Sequence, residues 1–443
     1  MIDMTKKKAH FLGFIQHGVS SHATGMWRHP KDKVGWDYAS PPYWHHLGQT
    51  LERGLFDAIF IADELAPYNT YADSSDTTVK YAVQFPTHEP STIVPVIAGA
   101  TRNLGIGVTL STAFEHPYSM SRRLSSLDHL TGGRLAWNIV SSYSKSEWDA
   151  YGSTMPDRSL RYERLHDYID LCKKLWSSWD EGAIVADRVN GVYADPSKVR
   201  EVNHDGPFFK CRARHFVSPS PQGNPVLWQA GSSDAGRDFA AEHAEAIFAI
   251  HPTVERMRAY SDDLNNRLVT RFSRPANSVK LIYGIQVVVA ETRAEAEEKY
   301  EFIRSLVPKE GSLAMISGQL GVDFSQYDPD QALADIAVPG IQGVKDALVE
   351  SGSGKTVTIA EAAQTYSLRF SMPALVGTPA DIADQLEDFM DRGGADGFML
   401  LATYTPGCFE EFVDLVVPEL QRRGRYRSAY TGTTLRDNLR QTD

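Results

Sequence analysis

The chain has 443 residues, too many for one small core, and its 42% hydrophobic and 23% charged residues are the ordinary composition of a globular protein that buries a large interior. Its 45 basic residues against 56 acidic ones leave a formal charge of −11, which argues against a general electrostatic pull toward nucleic acid or an anionic membrane. Cys172, Cys211 and Cys408 lie far apart with no CxxC pair. The apolar run at 10–16 is too short for a signal core or a bilayer span, so a reducing, cytoplasmic setting is expected.

Eight short apolar runs, 10–16, 56–63, 104–112, 134–142, 226–231, 246–251, 279–290 and 397–403, read as strands. They are continuous rather than alternating, as in a parallel sheet covered on both faces. Helical spacing follows each at 42–54, 89–102, 117–130, 158–179, 233–243, 253–270, 292–306 and 408–423. Eight βα pairs predict an α/β fold of the (β/α)8 TIM-barrel type, with an open doubly wound sheet as the alternative. Such a barrel needs about 250 residues, so the surplus is assigned to three insertions, about 64–88, 180–225 and 307–372, within a single domain 1–443. The second suits a hairpin over the barrel face, and the third, with polar helix-like segments but no strand-helix rhythm, is expected to act as a lid. The tract ESGSGKT at 350–356 is no P-loop, because Val349 stands where the leading glycine is required.

Active sites of such barrels lie at the C-terminal ends of the strands. Here those ends carry Asp63, Thr109, Ser111 and Thr112, then Asn138 and Ser142, then Gly231, Ser232 and Ser233. The last group opens a helix, where backbone N–H groups and two hydroxyls make an anion site suited to a phosphate, or in the plainer case a simple N-cap. None of the 14 histidines has ligand spacing, so no metal site is expected. No GxSxG elbow is present either, and a cavity without a strong nucleophile points to cofactor chemistry.

Longer blocks carry a family resemblance. GxWRHP at 25–30, ERGxFDxxFxAD at 52–63, EHPYxxxRRxSxLDHLTxGRxAWNxVxS at 115–142, RYxxxxxYxxxCxKLW at 161–176, SPQxxPVxxQAGxSxxGRxFAAxHAE at 220–245 and VPELQxRGxYR at 417–427 are similar to the nitrilotriacetate, dibenzothiophene-sulfone and long-chain-alkane monooxygenases. These form a branch of the bacterial-luciferase-like flavin monooxygenases. The resemblance implies a TIM barrel that takes FMN as FMNH2 from a separate NAD(P)H:flavin reductase. The reduced flavin reacts with O2 to give a C4a-peroxide that inserts one oxygen into a small organic substrate. It implies flavin contacts from Asp63, Thr109, Asn138, Ser142, Tyr162, Ser232 and Ser233, with Tyr162 and the two serines at the phosphate. Arg158 replaces a histidine common in relatives and could pair with the phosphate. A homodimer or homotetramer is implied, without nucleic-acid or membrane partners.

The substrate pocket departs from the alkane branch. That branch has a cysteine and a histidine where this chain has Gly18 and Ser21, and histidines at the positions of Tyr143 and of Ser312 or Met315. His17, His22, His116, Tyr68 and Tyr143 are the expected pocket residues, a histidine among them serving as proton donor. Other readings are a deazaflavin-dependent oxidoreductase on the same barrel, or a flavin-binding protein without oxygenase activity.

Overall fold

The computed structural model describes residues 6–440 except 232, 341, 351 and 353. Eight parallel strands form a closed barrel in sequential order: β1 (His10–Gln16), β2 (Ala58–Ala62), β3 (Gly105–Ser111), β4 (Leu135–Val140), β5 (Val226–Gln229), β6 (Ala246–Ala249), β7 (Lys280–Val289) and β8 (Gly397–Leu401). Closure is by β1 against β8, His10 facing Gly397 and Phe14 facing Leu401, and by β6 against β7. All eight strands coincide with the predicted ones.

Side chains alternate across each strand. Phe11 and Ile15 of β1, with Ile59 and Ile61 of β2, pack outward under the helices, while Leu12, Phe14, Ala58 and Phe60 fill the barrel. Gly107 of β3 points inward because Trp228 occupies the space, and a Cβ there would lie 2.0 Å from the indole. The Trp228 ring stacks on Phe60 with centroids 5.6 Å apart, so the lower barrel is a packed plug rather than a pore.

Two expectations about the connections need correction. A ninth strand, Ala374–Gly377, pairs with the upper half of β7, from Gln286 opposite Ala374 to Val289 opposite Gly377. It is followed by a helix, Pro379–Asp391, before β8. This helix carries a Thr378–Asp381 capping box and buries Ile382, Leu386, Phe389 and Met390, a spacing readable in the sequence but set among acidic residues. The helix-like segments of the 307–372 insertion form helices Lys309–Leu320, Gln342–Glu350 and Ile359–Arg369.

This insertion and the first one share a core of their own. Tyr68 and Val83 from the first pack with Met315, Ile316, Leu320, Phe324, Ile359 and Tyr366 from the third, making a cap at the C-terminal end of the barrel. The 180–225 insertion holds two hairpins, Ile184–Asp187 with Val192–Ala194 and Val202–Asp205 with Lys210–Ala213. It lies against the outer helices Pro117–Thr131 and Arg158–Trp176 rather than over the barrel face: Asp167 accepts from His204, Phe208 and Phe209, and Ser125 meets His215. Ser351 and Ser353 of the ESGSGKT tract lie outside the described residues; a helix, not a strand, precedes it. All three cysteines are free thiols, and no described helix is long and apolar enough to cross a membrane.

Candidate active site

Between the upper barrel and the cap lies a cavity of about 250 Å³. Its floor is aromatic, formed by Phe14, Phe60 and Phe248 with ring centroids 5.5–6.3 Å apart. Its walls are the strand ends, including Asp63, Glu64, Thr109, Asn138, Ser142 and Gly231. Its roof is Gln319, Val344, Ala347, Tyr366 and Phe370 of the third insertion.

Register explains how β3 and β4 reach the cavity. Thr109 is opposite Asn138, both point inward, and the Asn138 amide donates to the Thr109 hydroxyl at 3.0 Å. The Asn138 carbonyl oxygen is buried without a protein partner, and an orphaned acceptor in a cavity wall calls for a ligand donor. Beyond β4 the chain reverses at Ser142, whose φ of 52° is unusual for a non-glycine residue. That bend is held by Arg161, which donates to the Ser142 carbonyl at 2.6 Å, and by the Ser111 and Ser142 hydroxyls 2.8 Å apart. It turns Tyr143 into the wall.

Tyr143 belongs to a network at the wall. The Gln319 amide donates to the Tyr68 and Tyr143 hydroxyls at 2.5 and 2.7 Å. Tyr143 in turn donates to Glu64 at 2.9 Å, and the Tyr68 hydroxyl sits between Gln84 at 2.8 Å and Glu64 at 3.2 Å. Burial first, and then Glu89 and Glu147 nearby, pushes Asp63 up to about 8. Burial and Glu147 likewise raise Glu64, and burial raises Glu147, which accepts from Leu65 N–H at 3.1 Å. Three acidic side chains share one poorly solvated corner, which favours their protonated forms.

The histidines behave differently from expectation. His22 lines the cavity, stacked on Phe14 at 4.6 Å and edge-on to Phe370 at 4.5 Å. Burial lowers it to about 3, so it is neutral and cannot be the proton donor at neutral pH. His17 packs against Trp44 and His88 with its Nδ1 3.4 Å from the Glu89 carbonyl, away from the cavity lining. His116 is the N-cap of helix Pro117–Thr131, its Nδ1 accepting from Tyr118 N–H at 3.1 Å, and it too lies off the lining. Tyr68 backs the wall through Gln319 and Glu64 without lining it.

At the far end of the cavity the chain turns from β5 into helix Asp234–His243. Gly231 and Gly236 touch, and a Cβ on Gly236 would lie 2.9 Å from both the Gly231 Cα and the Tyr162 hydroxyl. Only glycines allow this closeness; Gly231 lines the cavity, whereas Tyr162, Ser233 and Gly236 are not among its lining residues, and a helix start of this kind suits an anion. The Ser233 hydroxyl accepts from Gly236 N–H at 3.2 Å as an N-cap. Ser232 lies outside the described residues. Arg158 is the exposed first residue of its helix and does not reach the lining.

Tested against FMN, the site fits. An aromatic floor and a bare acceptor on Asn138 suit a flavin ring, the turn with Tyr162 suits a phosphate, and His251 Nε2, His22 Nδ1 and Ser371 Oγ are further buried polar atoms without partners at the lining. Glu64, Glu147, His251, Tyr260 and Gln319 were not anticipated from the sequence. Glu64 directly follows Asp63 at a strand end, which is a usable signal, whereas Glu147 reads as the third residue of a capping box opened by Ser144.

The profile of the family described as luciferase-like monooxygenase matches residues 11–397. A long-chain alkane monooxygenase of Geobacillus thermodenitrificans is 39% identical over 98% of this chain and 94% of its own length. A dibenzothiophene-sulfone monooxygenase of Rhodococcus erythropolis is 37% identical over 98% and 97%. A crystal structure of a riboflavin lyase with modified FMN and riboflavin superposes with a TM-score of 0.90 at 30% identity, covering 98% of this chain and 96% of that one.

Proposed function

The chain belongs to the luciferase-like monooxygenase family, and from that premise we propose that this monooxygenase is the oxygenase component of a two-component system using FMNH2 and O2. An NAD(P)H:flavin reductase supplies the FMNH2, and the oxygenase works as a homodimer or homotetramer. The observation that carries this reading is the bare Asn138 acceptor above an aromatic floor, in a cavity lined at one end by Gly231, next to which lie Gly236 and the Tyr162 hydroxyl. Reduced flavin, when bound, supplies activation of O2 and transfer of one oxygen atom to the substrate, the other leaving as water.

The chain's own residues do the rest. Asn138, with Thr109 behind it, and Ser142 hold the ring and ribityl side, and Asp63 stands at the same wall. Tyr162, Ser233 and Ser232 hold the phosphate by charge-assisted hydrogen bonds, with Arg158 at the rim. The phenyl rings below and the cap above exclude water, which protects a reactive site from wasteful proton entry. Protons at the reacting side come from the corner of Asp63 and Glu64, whose raised values near the working pH suit a general acid. Tyr143 relays between Glu64 and the cavity, and neutral His22 offers one N–H and one acceptor nitrogen but no labile imidazolium proton.

The substrate is a small, largely apolar organic molecule, since the remaining lining is Val140, Val344, Ala347, Phe370 and Tyr366. The test supplies FMN, NADH, a generic flavin reductase and 18O2 to the purified chain with a panel of sulfides, sulfones, amines, aminopolycarboxylates and alkanes. Mass spectrometry should find one product with a single added 18O. Anaerobic turnover with a reduced deazaflavin would favour the deazaflavin reading, and tight FMN binding without any turnover would favour a flavin-binding protein.

A further inference from the structure

Outside the cavity, helices Arg158–Trp176 and Asp234–His243 pack side by side and bring His166 to the neighbouring pair Glu242 and His243. His166 Nδ1 lies 3.1 Å from His243 Nε2. Glu242 Oε2 is 3.4 Å from the first and 3.6 Å from the second. The three atoms form a nearly equilateral triangle at a surface cleft bordered by Glu163, Asp170 and Lys173. A point equidistant from the three corners lies about 2 Å from each, which matches the roughly 2.0–2.1 Å of Zn–N and Zn–O bonds, and the edges are those of one face of a tetrahedron. His166 and Glu242 are 41% exposed on their side chains while His243 is 9% exposed, so two ligands face solvent and the third is anchored.

We propose that His166, His243 and Glu242 bind a divalent transition-metal ion of the Zn2+ type, leaving the outward position to water. Two imidazoles and one carboxylate are a borderline donor set that selects such an ion over Mg2+ or Ca2+, which take oxygen ligands. Sequence spacing could not reveal the site, because the two histidines lie on different helices and meet only through packing. The ion ties the middle of helix Arg158–Trp176, which carries Tyr162 near its start, to the last turn of helix Asp234–His243, which begins at the Ser233 cap.

Without the ion the same atoms form a hydrogen-bond chain. Lys173 Nζ donates to His243 Nδ1 at 2.8 Å, which places the imidazole proton on Nε2, from where it is donated to His166. Metal on Nε2 forces that proton to Nδ1, where the Lys173 ammonium cannot remain as a donor. Lys173 therefore opposes the ion, and its removal should strengthen binding.

The test titrates tag-free, flavin-free full-length chain with Zn2+ by calorimetry, and with Co2+ by visible absorption, which reports tetrahedral ligation directly. The expected result is one ion per chain, loss of at least tenfold in affinity for Glu242→Gln, abolition in the His166→Gln/His243→Gln double variant, and a gain of about tenfold or more for Lys173→Met. Circular dichroism verifies that each variant is folded. Wild-type binding no tighter than that of the folded double variant, or weaker binding by Lys173→Met, overturns the proposal.

Discussion

Glu64 accepts from Tyr143 inside a wall where burial and Glu147 favour the neutral acid. A carboxyl raised by folding binds its proton more tightly in the folded chain, so its contribution declines as pH climbs from the ordinary value of about 4.3 through the raised one. The melting temperature of the flavin-free protein should therefore fall between about pH 5 and about pH 9. Glu64→Gln, which mimics the protonated acid, should flatten that fall; an unchanged slope would remove Glu64 from the account. Tyr162 offers a second residue-scale test. Tyr162→Phe should weaken FMN by about tenfold, roughly 1–2 kcal/mol for a hydrogen bond to a charged group, and leave riboflavin nearly unaffected. Equal losses for both ligands would move Tyr162 away from the phosphate.

The elements around the cavity separate what was legible in the sequence from what was not. Strand ends were legible, because Thr109 and Asn138 are polar residues at the C-terminal ends of apolar runs, where sites of such barrels lie. The cap was not, because Tyr68 and Met315 have no local pattern that pairs them, and they meet in a core built from two distant insertions. His17 and His116 stood in plausible places but serve local packing and capping, a distinction that depends on where a loop turns. Helix Lys309–Leu320 bears on Tyr68 directly: a Cβ on Gly318 would lie 2.3 Å from the Tyr68 ring. Gly318→Val should cost about 1–3 kcal/mol by overpacking and lower turnover by displacing Tyr68 from Glu64 and Gln84. Gly99→Ala, in helix Val94–Ala100 with nothing within 4 Å, should instead be stabilising by about 0.5–1 kcal/mol. Denaturant midpoints compare the two. The roof residues Gln319, Val344, Ala347, Tyr366 and Phe370 all belong to 307–372, so a lid closing over FMN and substrate would be this segment. Limited proteolysis should find cleavage within 307–372 in the free protein and protection when both are bound; cleavage insensitive to both would reject a moving lid.

At the scale of the whole molecule, the end opposite the cavity is pinned by charge. Asp57 is fully buried at the start of β2, 2.9 Å from His10 and bonded to Arg427, which returns from the C-terminal segment. Burial alone would raise its pKa, but Arg427 and then His10 outweigh it and hold the carboxyl below its ordinary value. Its stabilisation is therefore present above about pH 4 and lost as pH falls through the depressed value. Arg427→Met, which strands the carboxylate, should cost about 3–5 kcal/mol at neutral pH, and the difference from wild type should shrink below pH ~4 in acid unfolding. With barrel and cap in contact throughout, 1–443 is proposed to unfold as one unit; two calorimetric transitions would instead make the cap separate. The shared core of the cap also bears on how the chain is made. Tyr68 and Val83 leave the ribosome early, yet their packing partners begin near Met315 and end near Tyr366. At about 5–20 residues per second, the nascent chain carries that apolar surface uncovered for a time on the order of tens of seconds. During translation, the segment 64–88 is therefore where chaperone capture or premature aggregation should concentrate.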